Sequence, residues 1–190
     1  IRLRALEPED VDLLYKWEND TKLWTISNTV APFSKYILRR FIDSQKYDIY
    51  ETKQMRMVIE EKKDGRPVGT VDLFEIDPTN MRAGVGIMVY DDKDQGQGYA
   101  SSALVALIRY SFQILHLNQL YCNILSNNLR SMNLFKGKGF TVVGLKREWV
   151  KATTDWTDEY MPQLKNVMKL LHNRLPLRLV DGRQPGTEDV

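Results

Sequence analysis

A Gly-x-Gly turn between a strand and a long helix is the feature that most constrains this chain. The turn, Gln95-Gly96-Gln97-Gly98-Tyr99-Ala100, follows a strand-like run at 81–90 and opens an apolar helical pattern at 99–115. The glycines allow a tight turn and a close approach of the main chain to a ligand. The first amides of a helix lack internal partners and lie at the positive end of its dipole. The turn therefore predicts a phosphate cradle, and residues 95–115 include no acidic side chain that would fill it.

The composition indicates one globular domain, or one domain with a tail. Of the 190 residues, 43% are hydrophobic and 27% are charged, which suffices for a proper core. The formal net charge of +2 gives no strong electrostatic case for nucleic acid. No apolar stretch reaches the roughly 20 residues that span a bilayer. We therefore expect neither a nucleic-acid nor a membrane partner.

Cysteine and histidine are sparse. Cys122 is the single cysteine and lies in an apolar run, so it forms no internal disulfide and favours a reduced, cytoplasmic setting. His116 and His172 have no partner at ligand spacing, so we expect no metal site.

The hydrophobic periodicity predicts the element order β-α-α-β-β-β-α-β-α-β-β. The strands are predicted at 1–5, 55–60, 67–76, 82–90, 119–125, 140–150 and 157–164, and the helices at 9–19, 34–42, 99–115 and 128–136. Residues 21–32, between the first two helices, read as a loop. Residues 1–167 form the predicted domain, and 168–190 form a C-terminal extension that is partly flexible or packs on a neighbour.

Glycine and proline are unusual inside two of the predicted strands. Gly84 and Gly86 fall within the fourth strand, where glycine often marks a bulge or a close approach to the backbone. Pro162 falls within the last strand, which predicts an edge position or a bulge there.

Three motifs at this spacing resemble the GNAT N-acetyltransferase family over residues 1–167. The glycine turn is similar to the family's pyrophosphate loop. The run Asn128-Leu129-Arg130-Ser131, leading through Leu134-Phe135 to Gly139-Phe140, is similar to its Asn-x-x-Ser helix motif. The closing hairpin carries Trp156 and Asp158. Runs 71–76 and 110–115 look most like bacterial spermidine N-acetyltransferases, with ribosomal-protein N-terminal acetyltransferases as close relatives.

The resemblance implies an α/β (α+β) fold and a cosubstrate, acetyl-CoA. The sheet would be mixed, of about six or seven strands with helices on both faces, and splayed between the fourth and fifth strands. The pantetheine arm would lie in that gap and the pyrophosphate on the glycine turn. The implied cofactor-binding residues are Met88, Val89, Tyr90, Gln95, Gly96, Gln97, Gly98, Tyr99, Ala100, Asn128 and Phe135. From the residues alone, Asn128 is equally a helix N-cap and Phe135 a core aromatic.

Two positions depart from the family pattern. Phe135 stands where many relatives have the tyrosine that protonates the leaving thiolate, and Gly84 stands where several have a glutamate. Because a thiolate is a tolerable leaving group, we expect an enzyme that is slower, or that uses another donor such as Tyr121 or an ordered water, rather than an inactive one. Glu75 is the candidate base, acting directly or through water. Each residue has a simpler alternative, since a strand tyrosine such as Tyr121 usually packs and Glu75 also suits a solvated turn.

The resemblance and the acidic first helix together predict an amine acceptor. Candidate substrate residues are Trp24, Glu18, Asp20 and Asp158. Acids near the first helix suit a polyamine such as spermidine, although acids near a helix start also act as caps. The alternatives are a ribosomal-protein-type N-terminal acetyltransferase and a CoA-binding module without turnover. The assembly state is open, with a homo-oligomer among the expected forms.

Overall fold

An eight-stranded, mostly antiparallel sheet organises the part of the chain that the computed structural model describes, residues 1–27, 29–151 and 155–166. The strands are β1 (Arg2–Ala5), β2 (Gln54–Glu60), β3 (Pro67–Asp77), β4 (Arg82–Val89), β5 (Gln119–Tyr121), β6 (Ile124–Leu125), β7 (Thr141–Lys151) and β8 (Trp156–Lys165). Strands β1 to β4 are neighbours in chain order, β4 pairs with β5 in parallel, and β8 pairs with β5, β6 and β7. The predicted fifth strand is split into β5 and β6, which accounts for the extra strand.

Helices cover both faces of the sheet, as predicted. They are α1 (Val11–Glu18), α2 (Thr21–Ser27), α3 (Lys35–Ser44), α4 (Ile49–Thr52), α5 (Tyr99–Gln113) and α6 (Leu129–Lys136), with 3₁₀ turns at Pro8–Asp10 and Asp92–Asp94. Helices α5 and α6 bury their apolar sides with Ile59, Val71 and Val85 on one face. Helices α1 and α3 pack with Val58 and Met88 on the other face. Side chains alternate between the two faces along each strand, and so one sheet supports both layers.

The predicted loop at 21–32 is wrong, because α2 occupies its first part. This helix has no buried residue, and so its sequence lacks the apolar stripe that indicates a packed helix. Helix α4 was also unpredicted; the side chain of Asp48 caps it by accepting from the Tyr50 amide at 2.7 Å.

The parallel pairing of β4 with β5 stops after three residue pairs. Arg82 lies opposite Gln119, and the last pair is Gly84 with Tyr121. Beyond it, β4 continues to Val89 and, among the described residues, pairs with β3 alone. The splay predicted between the fourth and fifth strands is therefore confirmed, and its vertex lies at Gly84 and Tyr121.

The bulge predicted in the fourth strand lies instead in β3. The β3–β4 register runs without a shift from Gly69↔Val89 to Phe74↔Gly84, and then Asp77 pairs with Arg82. The extra residue therefore belongs to β3, where Glu75 has a φ of 48°. Gly84 marks the other alternative, a close approach, because a Cβ there would lie 2.3 Å from the Phe74 ring.

Pro162 lies in an internal strand, so the predicted edge position is wrong. It is buried and pairs with Val142, next to a register shift before Gly144 in β7. Its carbonyl oxygen accepts from the Cys122 amide at 3.0 Å. The alternative prediction, a bulge, is confirmed, and the bulge lies in the partner strand β7 opposite Pro162. A residue without an N–H disturbs the hydrogen-bond ladder least beside such a bulge.

The predicted C-terminal extension, 168–190, and residues 152–154 of the predicted closing hairpin lie outside the described residues. Within the described ranges, no helix has both the length and the apolar character needed to cross a bilayer. The same ranges contain no group of three or more metal-ligating side chains.

We predict that Gly84→Ala destabilises the protein by about 1–3 kcal/mol, because the new methyl group overlaps the Phe74 ring. Chemical denaturation measures the free energy of unfolding. Gly144→Ala is the matched control, since within the described ranges a Cβ at this other strand glycine meets no atom closer than 4 Å. Adding Phe74→Ala to Gly84→Ala removes the overlap, so an equal penalty for Gly84→Ala in that background would contradict the explanation.

Candidate active site

The glycine turn between β4 and α5 presents a row of free amides. Gly96 and Gly98 have φ values of 78° and 84°, and Gly98 is the N-cap of α5 without any side-chain cap. Across the described residues, the amides of Gly96, Gln97, Gly98, Tyr99 and Ala100 donate to no protein acceptor. A Cβ at either glycine would meet no atom of a described residue within 4 Å. Unpaired amides in front of open space at a helix start fit the predicted phosphate cradle.

Packing of α5 holds this turn in place. Ala103, Leu104 and Leu107 are fully buried against the sheet, and Tyr99 packs beside them. Through this packing Tyr99 anchors the helix start. Its main-chain amide nevertheless belongs to the row of free donors.

The far half of β4 offers a second set of main-chain groups. The Tyr90 amide donates to the carbonyl of Val68 in β3 at 3.0 Å, and the carbonyl of Met88 also faces β3, at Gly69. Because main-chain direction alternates along a strand, Val89 and Ile87 direct their amides and carbonyls into the gap left by β5. Met88, Val89 and Tyr90 are the strand residues among the implied cofactor-binding set, and of these Val89 is the one whose main chain faces the gap.

Asn128 and Phe135 are both occupied by local roles. The Asn128 side chain caps α6 by accepting from the Ser131 amide at 3.1 Å. Phe135 is only 3% exposed, and its ring meets Phe140 edge-on at 5.0 Å. Phe135 is thus a core aromatic, and contact of either residue with a cofactor stays a prediction.

Tyr121 and Glu75, the two candidate catalytic residues, touch each other at the vertex of the splay. The Tyr121 hydroxyl donates to the Glu75 carboxylate across 46 residues of chain. The ring of Tyr121 also packs edge-on against Phe74, with the centroids 6.1 Å apart. Burial and the Glu75 carboxylate both raise the pKa of Tyr121, so its hydroxyl keeps its proton at neutral pH.

A cavity of about 660 Å³ extends from Tyr121 and Glu75 along the paired part of β4 and β5 to Arg82 and Gln119. Glu75 and Tyr121 line it together with ten further residues, Tyr50, Lys53, Ile76, Asp77, Pro78, Thr79, Arg82, Gln119, Met161 and Gln163. Its charged walls combine two acids with two bases, and its apolar parts come from Tyr50, Ile76, Pro78 and Met161. The hydroxyl–carboxylate pair is thus accessible to a small molecule.

Glu18 is held by a partly buried arginine that sequence reasoning missed. Arg56 of β2 donates to Glu18 and also to Asp72 of β3, at 2.6 and 3.2 Å for the two Asp72 oxygens. Burial raises the pKa of Asp72, and the Arg56 charge acts against that shift. A charged residue on the inner face of a predicted strand was the available signal, because a buried charge needs a partner.

The other acceptor-side predictions form one group at the α1–α2 junction. Trp24 donates its indole N–H to the Glu18 carbonyl at 3.0 Å, and Asp20 accepts from the Tyr90 hydroxyl at 3.3 Å. We call Glu18, Asp20 and Trp24 the α1–α2 group. Because Tyr90 directly follows β4, this group lies beside the end of β4 that borders the gap.

Asp158 does not join the α1–α2 group. It lies in β8 and accepts from the Glu148 amide of β7 at 2.7 Å. No hydrogen bond or ion pair between described residues connects it to that group. Its observed partner gives it a role in the hairpin, and its contact with a substrate stays a prediction.

Known proteins share this sequence pattern and this architecture. The family model for the acetyltransferase (GNAT) domain matches residues 1–141. The uncharacterized N-acetyltransferase p20 of Bacillus licheniformis is 31% identical over 164 residues, 85% of this chain and 90% of that protein. A spermidine N(1)-acetyltransferase of Escherichia coli K12 is 27% identical over 144 residues, 76% of this chain and 74% of its own length.

A solved structure has the same fold. The spermidine N-acetyltransferase from Vibrio cholerae, in complex with CoA and spermine, superposes with a TM-score of 0.79 at 23% identity and covers 89% of this chain and 97% of its own. Free amides, an opened sheet and a family match over most of the chain thus agree. The chain belongs to the GNAT acetyltransferase family and is an N-acetyltransferase.

Proposed function

We propose that this enzyme transfers the acetyl group of acetyl-CoA to a primary amine of a polyamine such as spermidine. The observation that carries the proposal is the row of free amides at 96–100 beside the unpaired half of β4. The Escherichia coli relative's name and the bound CoA and spermine of the Vibrio cholerae structure support this choice of substrates. The buried, reduced Cys122 is compatible with the cytoplasm as the site of action.

The described residues fit acetyl-CoA as cosubstrate. The amides of the glycine turn are suited to the pyrophosphate, because they are unpaired donors at the positive end of α5. The main chain of Val89 and Ile87 is suited to the amide groups of pantetheine, since both need hydrogen-bond partners within the gap. A main-chain N–H in the gap would also polarise the thioester carbonyl.

Acetyl transfer is then direct attack by the amine in a ternary complex. A C–N bond forms, the C–S bond breaks, and one proton must leave nitrogen while one must reach sulfur. Glu75 accepts the proton from nitrogen, directly or through water, and Tyr121 donates its proton to the sulfur. Transfer of the proton from Glu75 to Tyr121 along their hydrogen bond restores both residues.

The acceptor side favours a cation over a neutral amine. Asp20 contacts Tyr90 at the end of β4, and Glu18 of α1 and Asp72 of the neighbouring β3 both accept from Arg56. The single positive charge of Arg56 compensates only part of these three negative charges. A peptide N-terminus is the rival acceptor, because the ribosomal-protein acetyltransferases share the family pattern. Attraction of a polycation by this surplus of acids supports the polyamine.

A panel of acceptors tests the proposal. The protein is incubated with acetyl-CoA and spermidine, a peptide with a free N-terminus, or no amine, and thiol release is recorded. We expect release with spermidine well above that with the peptide and the blank. Release with the peptide alone would assign the rival function, and binding of acetyl-CoA without release from any amine would indicate a module without turnover.

We predict that Tyr121→Phe lowers kcat by about a hundredfold, because it removes the proposed acid and keeps the ring contact with Phe74. Steady-state kinetics with the amine that gives thiol release measures the effect. Tyr36→Phe is the control, since Tyr36 is 65% exposed on α3. Wild-type kcat in Tyr121→Phe would assign the proton to water.

We predict that Gly98→Ala raises the Kd of CoA about tenfold, which corresponds to about 1.4 kcal/mol. A side chain at its φ of 84° carries about 1–2 kcal/mol of strain, and relief of the strain moves the amides of the turn. Gly139→Ala is the matched control, because Gly139 has a φ of 89° and follows α6. Calorimetric titration should show weaker binding for Gly98→Ala alone; equal effects of both variants would contradict the cradle.

A further inference from the structure

We propose that Arg66 is a positioning residue for the glycine turn and that it acts through Asp94. Arg66 lies between β2 and β3, outside the turn and the gap. This inference rests on the proposed function, because it concerns how tightly the turn binds the pyrophosphate of acetyl-CoA. Within the turn, the side chain of Tyr99 hydrogen-bonds Glu61, which also accepts from Arg66.

The contact between the two side chains is bidentate. Nη1 of Arg66 donates to Oδ2 of Asp94 at 2.7 Å, and Nη2 donates to Oδ1 at 2.9 Å. Asp94 is 4% exposed and directly precedes Gln95, the first residue of the glycine turn. A planar guanidinium that meets both carboxylate oxygens fixes the direction of the partner as well as its distance.

Little else holds the residues just before the turn. The Asp94 and Gln95 amides bond within the 3₁₀ turn, to the carbonyls of Asp91 and Asp92. The Gln95 side chain also donates locally, to Asp92. Within the described residues, Arg66–Asp94 is the side-chain hydrogen bond that joins this segment to another part of the sheet. The pair therefore sets where the free amides begin.

The pair also removes a charge that opposes the ligand. Hydrogen bonding to Arg66 holds the pKa of Asp94 below its usual value, so the carboxylate is ionised at neutral pH. An unpaired anion at this position would repel a pyrophosphate, and burying it without a partner would be costly. Arg66 meets both needs, and it also donates to Glu61 at 3.1 Å.

Removal of Asp94 distinguishes positioning from direct contact. If Arg66 acts through Asp94, then Arg66→Ala and Asp94→Ala each raise the Kd of CoA about tenfold, and the double variant is no worse than either one. If Arg66 instead binds phosphate itself, Asp94→Ala frees the guanidinium, and CoA binds as well as before or more tightly. That second result would overturn the proposal.

Calorimetric titration with CoA and steady-state kinetics form the test. We expect the KM for acetyl-CoA to rise in both variants with kcat and the KM for the amine unchanged, a split that general unfolding would not produce. Arg66→Lys, which keeps the charge and loses the fork, should fall between wild type and Arg66→Ala. Lys35→Ala, at an exposed ion pair with Asp12 between α1 and α3, is the control.

The outcomes separate this inference from the proposed function. If wild-type protein does not bind CoA, the proposed function fails and the inference fails with it. If wild-type protein binds CoA and Arg66→Ala binds it equally well, the inference fails and the proposed function stands. Thermal melts of each variant confirm that the titrated protein is folded.

Discussion

The separation of β4 from β5 is the constraint on which the rest of the structure depends. Strand β5 pairs with β4 on one side and β8 on the other, and after Tyr121 only the pairing with β8 continues. There the Cys122 amide donates to the Pro162 carbonyl, and Ile124 of β6 pairs with Tyr160. In the part of the chain that the structure describes, the main chain of β4 beyond Gly84 is thereby left with β3 as its one partner. Interior main-chain groups need partners, so a bound cosubstrate would complete the sheet that the protein leaves open.

The two departures from the family pattern have separate physical explanations in the fold. Phe74 occupies the space above Gly84, so a larger residue at that position would overlap its ring. The β3 bulge then places Glu75, the next residue, against Tyr121 at the vertex. Phe135 meanwhile packs on Phe140 in the core. In the mechanism that we propose, an acid from β3 and a hydroxyl from β5 take the place of the missing pair.

The sequence predicts the features whose signal is local. Two glycines between a strand and an apolar helix mark the cradle within six residues, and the order of strands and helices along the chain follows from periodicity. Pairing between distant side chains has no such signal. The Tyr121–Glu75 contact spans 46 residues, and the contact of Arg56 with Glu18 spans 38. Helix α2 was missed although it is local, because a helix without a buried face has no hydrophobic period to detect.

The charges near β4 bear on how the enzyme would choose an amine. Glu18 and Asp72 share Arg56, while Asp20 and the cation Lys16 both contact Tyr90, so the acids exceed the bases by one. So small a surplus attracts a polycation only weakly and over a short range, because salt screens exposed charges beyond about 10 Å. Discrimination between amines must then come from the shape of the cavity and of the α1–α2 group. The surplus would favour a cation over a neutral amine, and among cationic amines the one whose nitrogen fits beside the Tyr121 hydroxyl would be selected.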